Sequence, residues 1–201
     1  MAKLLSALPV GSVVKSTNTK YNGKVIRWIV GTQDTANGRT GLVAEKMITL
    51  KCFDAKESSN PNGSRQSYGN NRYSQSNIDQ WLNSQDAAWY SARHSYDAPP
   101  NNANVWSNYN EYDTEAGFLS NFEADFRKAI LDAVIRVAKN TVTDGGGYED
   151  ITRKVFLLSN TEVGLSNENG VAEGTLWSYF SSAARRQCYP TAEAVSNSEY
   201  T

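Results

Sequence analysis

The hydrophobic positions of the N-terminal third fall into runs. Lys24-Val25-Ile26-Arg27-Trp28-Ile29-Val30 is β-branched and aromatic and is closed by Gly31; Leu42 to Phe53 is a second such stretch. Runs of this kind bounded by turn residues predict strands. Asn37-Gly38 between them predicts a hairpin whose loop spans Gly31 to Gly41. Val10 to Val14 predicts a short edge strand leading in. The polar stretch from Asp54 to Tyr73, with Ser58-Ser59-Asn60-Pro61-Asn62-Gly63-Ser64 inside it, reads as a long surface loop. Ser76 then caps a short helix, Asn77 to Asn83, with Ile78, Trp81 and Leu82 on one face.

A second long loop runs from about Ser84 to Gly117, and its density of aromatic residues argues that it is ordered. Ser120 and Glu123 form a capping-box pattern at the head of the clearest helix, Ser120 to about Asp132. Phe122, Phe126, Ile130 and Ala133 make its apolar stripe. Alternation from Ile135 predicts a strand to about Thr143, Asp144-Gly145-Gly146-Gly147 a turn, and Lys154 to Ser159 the next strand. Thr175 to Ala184 reads as one more short helix, and the polar tail from Gln187 shows no terminating element. No repeat at a fixed period is visible, which disfavours solenoids and propellers.

Charge narrows the partners. Twenty Lys and Arg oppose 21 Asp and Glu, a net charge of −1, so there is no electrostatic footprint for nucleic acid or an anionic membrane. The longest apolar run is too short to span a bilayer, and Met1 leads into no basic-then-apolar export signal. The polar fraction is dominated by 20 Asn and 21 Ser, beside 11 Tyr and 5 Trp. That mixture suits loop-rich binding proteins, in which Tyr and Trp supply rigid contact area. Cys52 and Cys188, 136 residues apart, read as two separately buried thiols, with a disulfide between them as the alternative; no CxxC suggests zinc or redox work.

Enzymatic chemistry is sparse. A single histidine, His94, excludes any site needing two imidazoles, and no GxSxG elbow accompanies it. It reads as a solvated or hydrogen-bonded loop residue. Gly145-Gly146-Gly147 lacks the Lys-Ser/Thr of a phosphate loop, and Glu123 and Asp125 fall on the polar face of the main helix. Asn108, Asn110, Glu111 and Asp113 gather oxygens within six residues but lack the EF-hand spacing, so no metal and no cofactor is expected. The aromatic loop is the better site. Trp89, Tyr90, Trp106, Tyr109 and Tyr112 are the candidate ligand-binding residues, since such rings stack on sugars or peptide side chains while their polar tips hydrogen-bond. The alternative for each is that it pins the loop to the core.

Three stretches together carry a resemblance: Tyr68 to Ile78 with Gln80-Trp81-Leu82-Asn83, Ala98-Pro99-Pro100 through Val105-Trp106-Ser107-Asn108-Tyr109, and Lys154 to Ser159 with Thr161-Glu162-Val163. The pairing of Y-S-x-S-N-I-x-x-W-L-N with K-V-F-L-L-S-x-x-E-V resembles an uncharacterised domain family of gut Firmicutes and their phages, often found in tail or surface proteins. The resemblance covers about residues 23–201. It implies an α+β, C-type-lectin-like fold distantly like formylglycine-generating enzymes: a small twisted antiparallel sheet, two main helices and long ordered loops. The whole, 1–201, reads as one domain, with 1–22 as an N-terminal arm or edge strand.

Family members continue past the position of Tyr200-Thr201 into a W-W-L-R-S strand and a G-V-R-P strand. The expectation is that those two strands come from a continuation or from a neighbouring subunit. Neither the calcium-dependent sugar motif of true C-type lectins nor the copper-binding cysteine pair of formylglycine-generating enzymes has a match; Asn60-Pro61-Asn62 is a loose echo of the former. What the resemblance implies is a non-enzymatic bacteriophage virion protein, assembled in the bacterial cytoplasm: a tail, receptor-binding or capsid-decoration module. Its partners would be other virion proteins, copies of itself, or a host cell-surface glycan or protein, with no nucleic acid and no membrane insertion. The competing readings are a bacterial cell-surface glycan-binding protein and a carbohydrate-active enzyme with loop carboxylates as acid and base.

Overall fold

The computed structural model describes residues 4–106, 109–167 and 170–196. Strand β1 (Val13–Tyr21) pairs antiparallel with β2 (Lys24–Asp34), and β2 with β3 (Arg39–Ala44), giving a three-stranded sheet in the order β1-β2-β3. The first hairpin is closed by Asn22-Gly23, both at positive φ (46° and 76°), with Tyr21 opposite Lys24. A two-residue loop of that type matches the right-handed twist of its strands. The N-terminal segment is therefore a nine-residue edge strand, longer than Val10 to Val14 and displaced from it. The second hairpin turns through residues 35–38 as Asn37-Gly38 predicts, and Asp34 accepts from the Asn37 N–H and side-chain amide (3.2 and 2.7 Å). β2 does not stop at Gly31. The strand continues through an irregularity between Val30 and Thr32, and β3 ends at Ala44, well short of Phe53.

Gly31 has a second reason for being glycine. The Trp177 ring lies flat against Gly31 and Gly41, so a Cβ at Gly31 would meet Trp177 Cε3 at 2.5 Å. Trp177 precedes a 3₁₀ turn, Ser178–Phe180, and a second one, Ala183–Arg186, stands where a helix was expected. The chain then returns to the first sheet: Met47 bridges Pro190, with Met47 N–H to Tyr189 O at 3.1 Å and Thr191 N–H to Met47 O at 2.9 Å. The described part of the tail holds a short helix, Ala192–Ser196, whose Ala194 N–H is held by the Thr191 hydroxyl.

Between the sheet and this return lies the expected polar stretch, which is no surface loop. It contains helix α1 (Gly63–Tyr68), capped by Asn62, whose side chain accepts from the Arg65 N–H at 3.1 Å. Asp54, Glu57, Asn60 and Asn70 are buried. Each has polar partners: Asp54 accepts the N–H groups of Asn70 (2.6 Å) and Asn77 (2.9 Å), and the Asn77 side chain accepts from Ala55 N–H (2.8 Å). Asn and Asp fix backbone by side-chain bonds that hydropathy does not register. Helix α2 (Asn77–Leu82) is as read, with Ser76 accepting the Asp79 N–H and Ile78, Trp81 and Leu82 buried.

The long helix expected from Ser120 is reduced to α3 (Ala124–Ala129), preceded by a 3₁₀ turn at Phe118–Asn121. The cause is tertiary. Phe122 bridges Thr19 and the Glu123 N–H donates to Asn18 O at 2.9 Å, so β1 holds this backbone extended where the helix would have begun. A second, two-stranded sheet follows: β4 (Ala133–Ala138) against β5 (Tyr148–Arg153), joined through Gly145, Gly146 and Gly147, all at positive φ. β5 precedes the apolar run Lys154 to Ser159, where a strand is expected but none forms; Asn83 holds its start, accepting from the Lys154 and Val155 N–H groups. The α+β class thus holds; among the described residues the strands are divided between two small antiparallel sheets and the α-helices are four short ones.

The core is aromatic. Trp81 meets Tyr21 edge-on (centroids 6.2 Å), Phe118 at 5.2 Å and Tyr112 at 5.7 Å. Lys51, its side chain 3% exposed, stands over the Trp81 and Tyr112 rings and pairs with Glu115. Both cysteines are free; Cys52 is half-buried, its thiol pushed up to about 11 by burial, whereas Cys188 is exposed rather than buried. Among the described residues, no helix is long and apolar enough to cross a membrane.

Candidate functional site

The five aromatic candidates separate by depth. Trp89 and Tyr112 stack in the core with centroids 5.4 Å apart and planes 11° from parallel. Their polar tips point inward, Trp89 Nε1–H to Tyr112 O (3.3 Å) and Tyr112 O–H to Cys52 O (3.0 Å). With 4% and 0% exposure they present nothing to a ligand and hold the loop down instead. Tyr90 lies half-buried with its ring perpendicular to Trp89, its hydroxyl pushed up to about 12 by burial, then by Asp97 and Asp54. Tyr109 is at the surface and donates to Ser196 O at 2.7 Å.

Trp106 is different. It is 55% exposed and lies 5.5 Å from the ring of Tyr68, itself 69% exposed at the end of α1. The Lys56 ammonium sits 5.8 Å from the Trp106 centroid. The backbone explains the meeting: Lys56 N–H donates to Asn104 O (2.9 Å), which lays residues 54–57 alongside the loop, while Gly69 N–H to Arg65 O ends α1 with Tyr68 outward. Exposed aromatic pairs of this size beside a cation form a ridge on which flat apolar faces stack.

Beside α1 lies an open cleft of ≈ 420 Å³, assembled from residues 60–62, 94–96 and 143–144 with Arg65, Arg72 and Gln75. Arg65 donates to Asp144 (2.7 Å) and Thr143 (2.9 Å), and Arg72 donates to Glu149 (2.8 Å from Nε). The Arg72 pairing holds the Glu149 carboxyl below its ordinary range. His94 is engaged on both ring nitrogens. Nδ1 accepts the Tyr96 N–H at 3.4 Å, and Nε2 faces the buried Glu57 Oε1 at 3.1 Å and Asn70 at 3.4 Å. A smaller apolar groove of ≈ 90 Å³ between β2 and residues 191–193 is below the size of ordinary ligand sites.

Among the described residues two carboxyls are raised, both primarily by burial. Asp54 is pushed up to about 7 against the pull of the Asn70 and Asn77 N–H groups, with Asp97 and Glu57 adding to the rise. Glu162 is raised, and its Oε2 accepts the Ser159 N–H at 2.9 Å. Each therefore uses its oxygens on backbone. Of the oxygen-rich segment, Asn108 lies outside the described residues and Asn110 donates to Leu50 O at 2.6 Å. Among the described residues, no group of three or more His, Cys, Asp or Glu gathers to hold a metal ion.

Sequence reasoning missed Tyr68, which stands in a polar run, and the cleft, whose walls come from distant polar stretches. The one local signal was Asn62-Gly63-Ser64, a cap that starts the helix carrying both Arg65 and Tyr68. No curated protein matches the chain. No solved structure matches it either. Residues 37–201 match the family described as a domain of unknown function (DUF6273), and the chain belongs to that family.

Proposed function

We propose that this chain is a non-enzymatic binding module that works on a bacteriophage particle, in the tail, as a receptor binder or as a capsid decoration. It engages a protein or a glycan through the Trp106–Tyr68 ridge. The observation that carries the reading is that ridge, two large rings 5.5 Å apart and more than half exposed. A monomer has little reason to leave two such rings in contact and uncovered unless something covers them in use. The engagement of both His94 nitrogens supports binding over catalysis. The setting, a C-type-lectin-like virion protein of gut bacteria and their phages, rests on the sequence motifs.

Two experiments test it. Particle proteins from a lysate of the phage-bearing strain are examined by mass spectrometry, and the chain should be among them. The purified protein is then screened on a glycan array and on host cells. Trp106→Ala should weaken binding by at least about 2 kcal/mol, some thirtyfold, without changing the thermal midpoint. Binding undiminished by Trp106→Ala combined with Tyr68→Ala would remove the ridge from the reading.

A further inference from the structure

The cleft beside α1 has a chemistry of its own. Its ≈ 420 Å³ falls within the range of small-molecule sites. Both arginines in it are already neutralised, Arg65 by Asp144 and Arg72 by Glu149. An anionic ligand would have to displace a carboxylate to reach either. What the wall offers is donors side by side with acceptors: Arg65 next to Asp144 and the Thr143 hydroxyl, with the Asn62 amide nearby. A hydroxyl group is donor and acceptor at once and carries no charge, so vicinal hydroxyls match such a wall, whereas phosphate brings negative charge to a wall whose arginines are already paired with carboxylates. Arg65 Nε is buried without a hydrogen-bond partner, beneath the surface that the guanidinium gives to the cleft. Tyr96, 40% exposed at the margin, supplies a flat apolar face.

We propose that this cleft is a second binding site, separate from the aromatic ridge, and that it takes a neutral polyhydroxylated ligand of the monosaccharide class. The Arg65–Asp144 pair and Thr143 engage the hydroxyls, and Tyr96 covers the C–H face of the ring. The site does not depend on the ridge for its residues or its chemistry.

The test is a titration of isotope-labelled full chain with glucose, galactose and N-acetylglucosamine, each read by amide and indole NMR shifts. Inorganic phosphate is the anionic control. At least one sugar should give saturable shifts with a Kd of about 1 mM, at the amides of Ser95, Tyr96 and Asp144, with the Trp106 indole signal unmoved. Tyr96→Ala should weaken binding about tenfold with the remaining spectrum intact, and Ser95→Trp should block it. No saturable shift with any of the three sugars overturns the proposal, as does tighter binding of phosphate. Shifts confined to the Trp106 indole also overturn it, and would instead place sugar on the ridge.

Discussion

Removing the Asp79 carboxylate tests what ties the second sheet to α2 and the long loop. Its side chain is fully buried in α2 and takes three bonds from two arginines: Arg153 on β5, through Nε (2.6 Å) and Nη2 (2.7 Å), and Arg93 in the long loop, through Nη1 (2.8 Å). The guanidiniums are themselves only 21% and 25% exposed. In Asp79→Ala the acid vanishes while two cations stay largely out of water, which is the costly way to break a buried ion pair, about 3–5 kcal/mol. Against a total stability on the order of 5–15 kcal/mol, that is a large share. For a chain of this size, about 2–4 °C is lost per kcal/mol, so the thermal midpoint should fall by about 6–20 °C. Urea denaturation followed by circular dichroism gives the free energy directly. Arg153→Met alone and combined with Asp79→Ala completes a double-mutant cycle, whose coupling should be about 1–3 kcal/mol. A loss below about 1 kcal/mol for Asp79→Ala, at the level of exposed pairs, would show that water already reaches the triad and would refute the reasoning.

Asp54 gives a pH dependence. Its folded value of about 7 lies above the ordinary 3.8, so between those two pH values the native state holds a proton that the unfolded chain has released. Stability from this group is fully present below pH 3.8, declines as pH rises to about 7, and is then constant; the full span is about 4 kcal/mol. Urea midpoints across that window should slope downward for the wild type and lie flatter for Asp54→Asn; equal slopes would count against a buried, protonatable Asp54. Gly31→Ala would drive a Cβ to 2.5 Å from Trp177 Cε3. It should expel the indole, redden its fluorescence and cost about 1–3 kcal/mol; an unshifted emission maximum would mean that the ring is not seated there.

How much of this was legible depended on whether the cause was local. Ser76 and the Ile78, Trp81, Leu82 spacing specify α2 with no help from elsewhere, and Asn37-Gly38 sets its turn alone. Asn22-Gly23 is an equally local signal that reveals β1, yet the surrounding Thr and Lys residues hid the strand it ends. β5 was obscured because its charged residues are matched across space: Asp150 to Arg136, Glu149 to Arg72 and Arg153 to Asp79. The helix expected at Ser120 failed because β1 claims the backbone of Phe122 and Glu123. Among the aromatic candidates, Trp89 and Trp106 stand in similarly polar, turn-rich stretches. Only the packing of Trp89 on Tyr112, and of Trp106 on Tyr68 from another segment, separates anchor from ridge.

The seating of Trp177 on Gly31 and Gly41, with Thr191 returning to Met47, sets an order for synthesis. The first sheet is made early and its cover late. At translation speeds of about 5–20 residues per second, the interval between Ala44 and Trp177 leaving the ribosome is on the order of 10 s. During that time the glycine-floored face of β2 and β3 has no indole to shield it. Closing contacts so distant in sequence is slow in itself. Yield in a cell should therefore respond to chaperone supply and growth temperature more than the equilibrium stability of the finished chain would suggest.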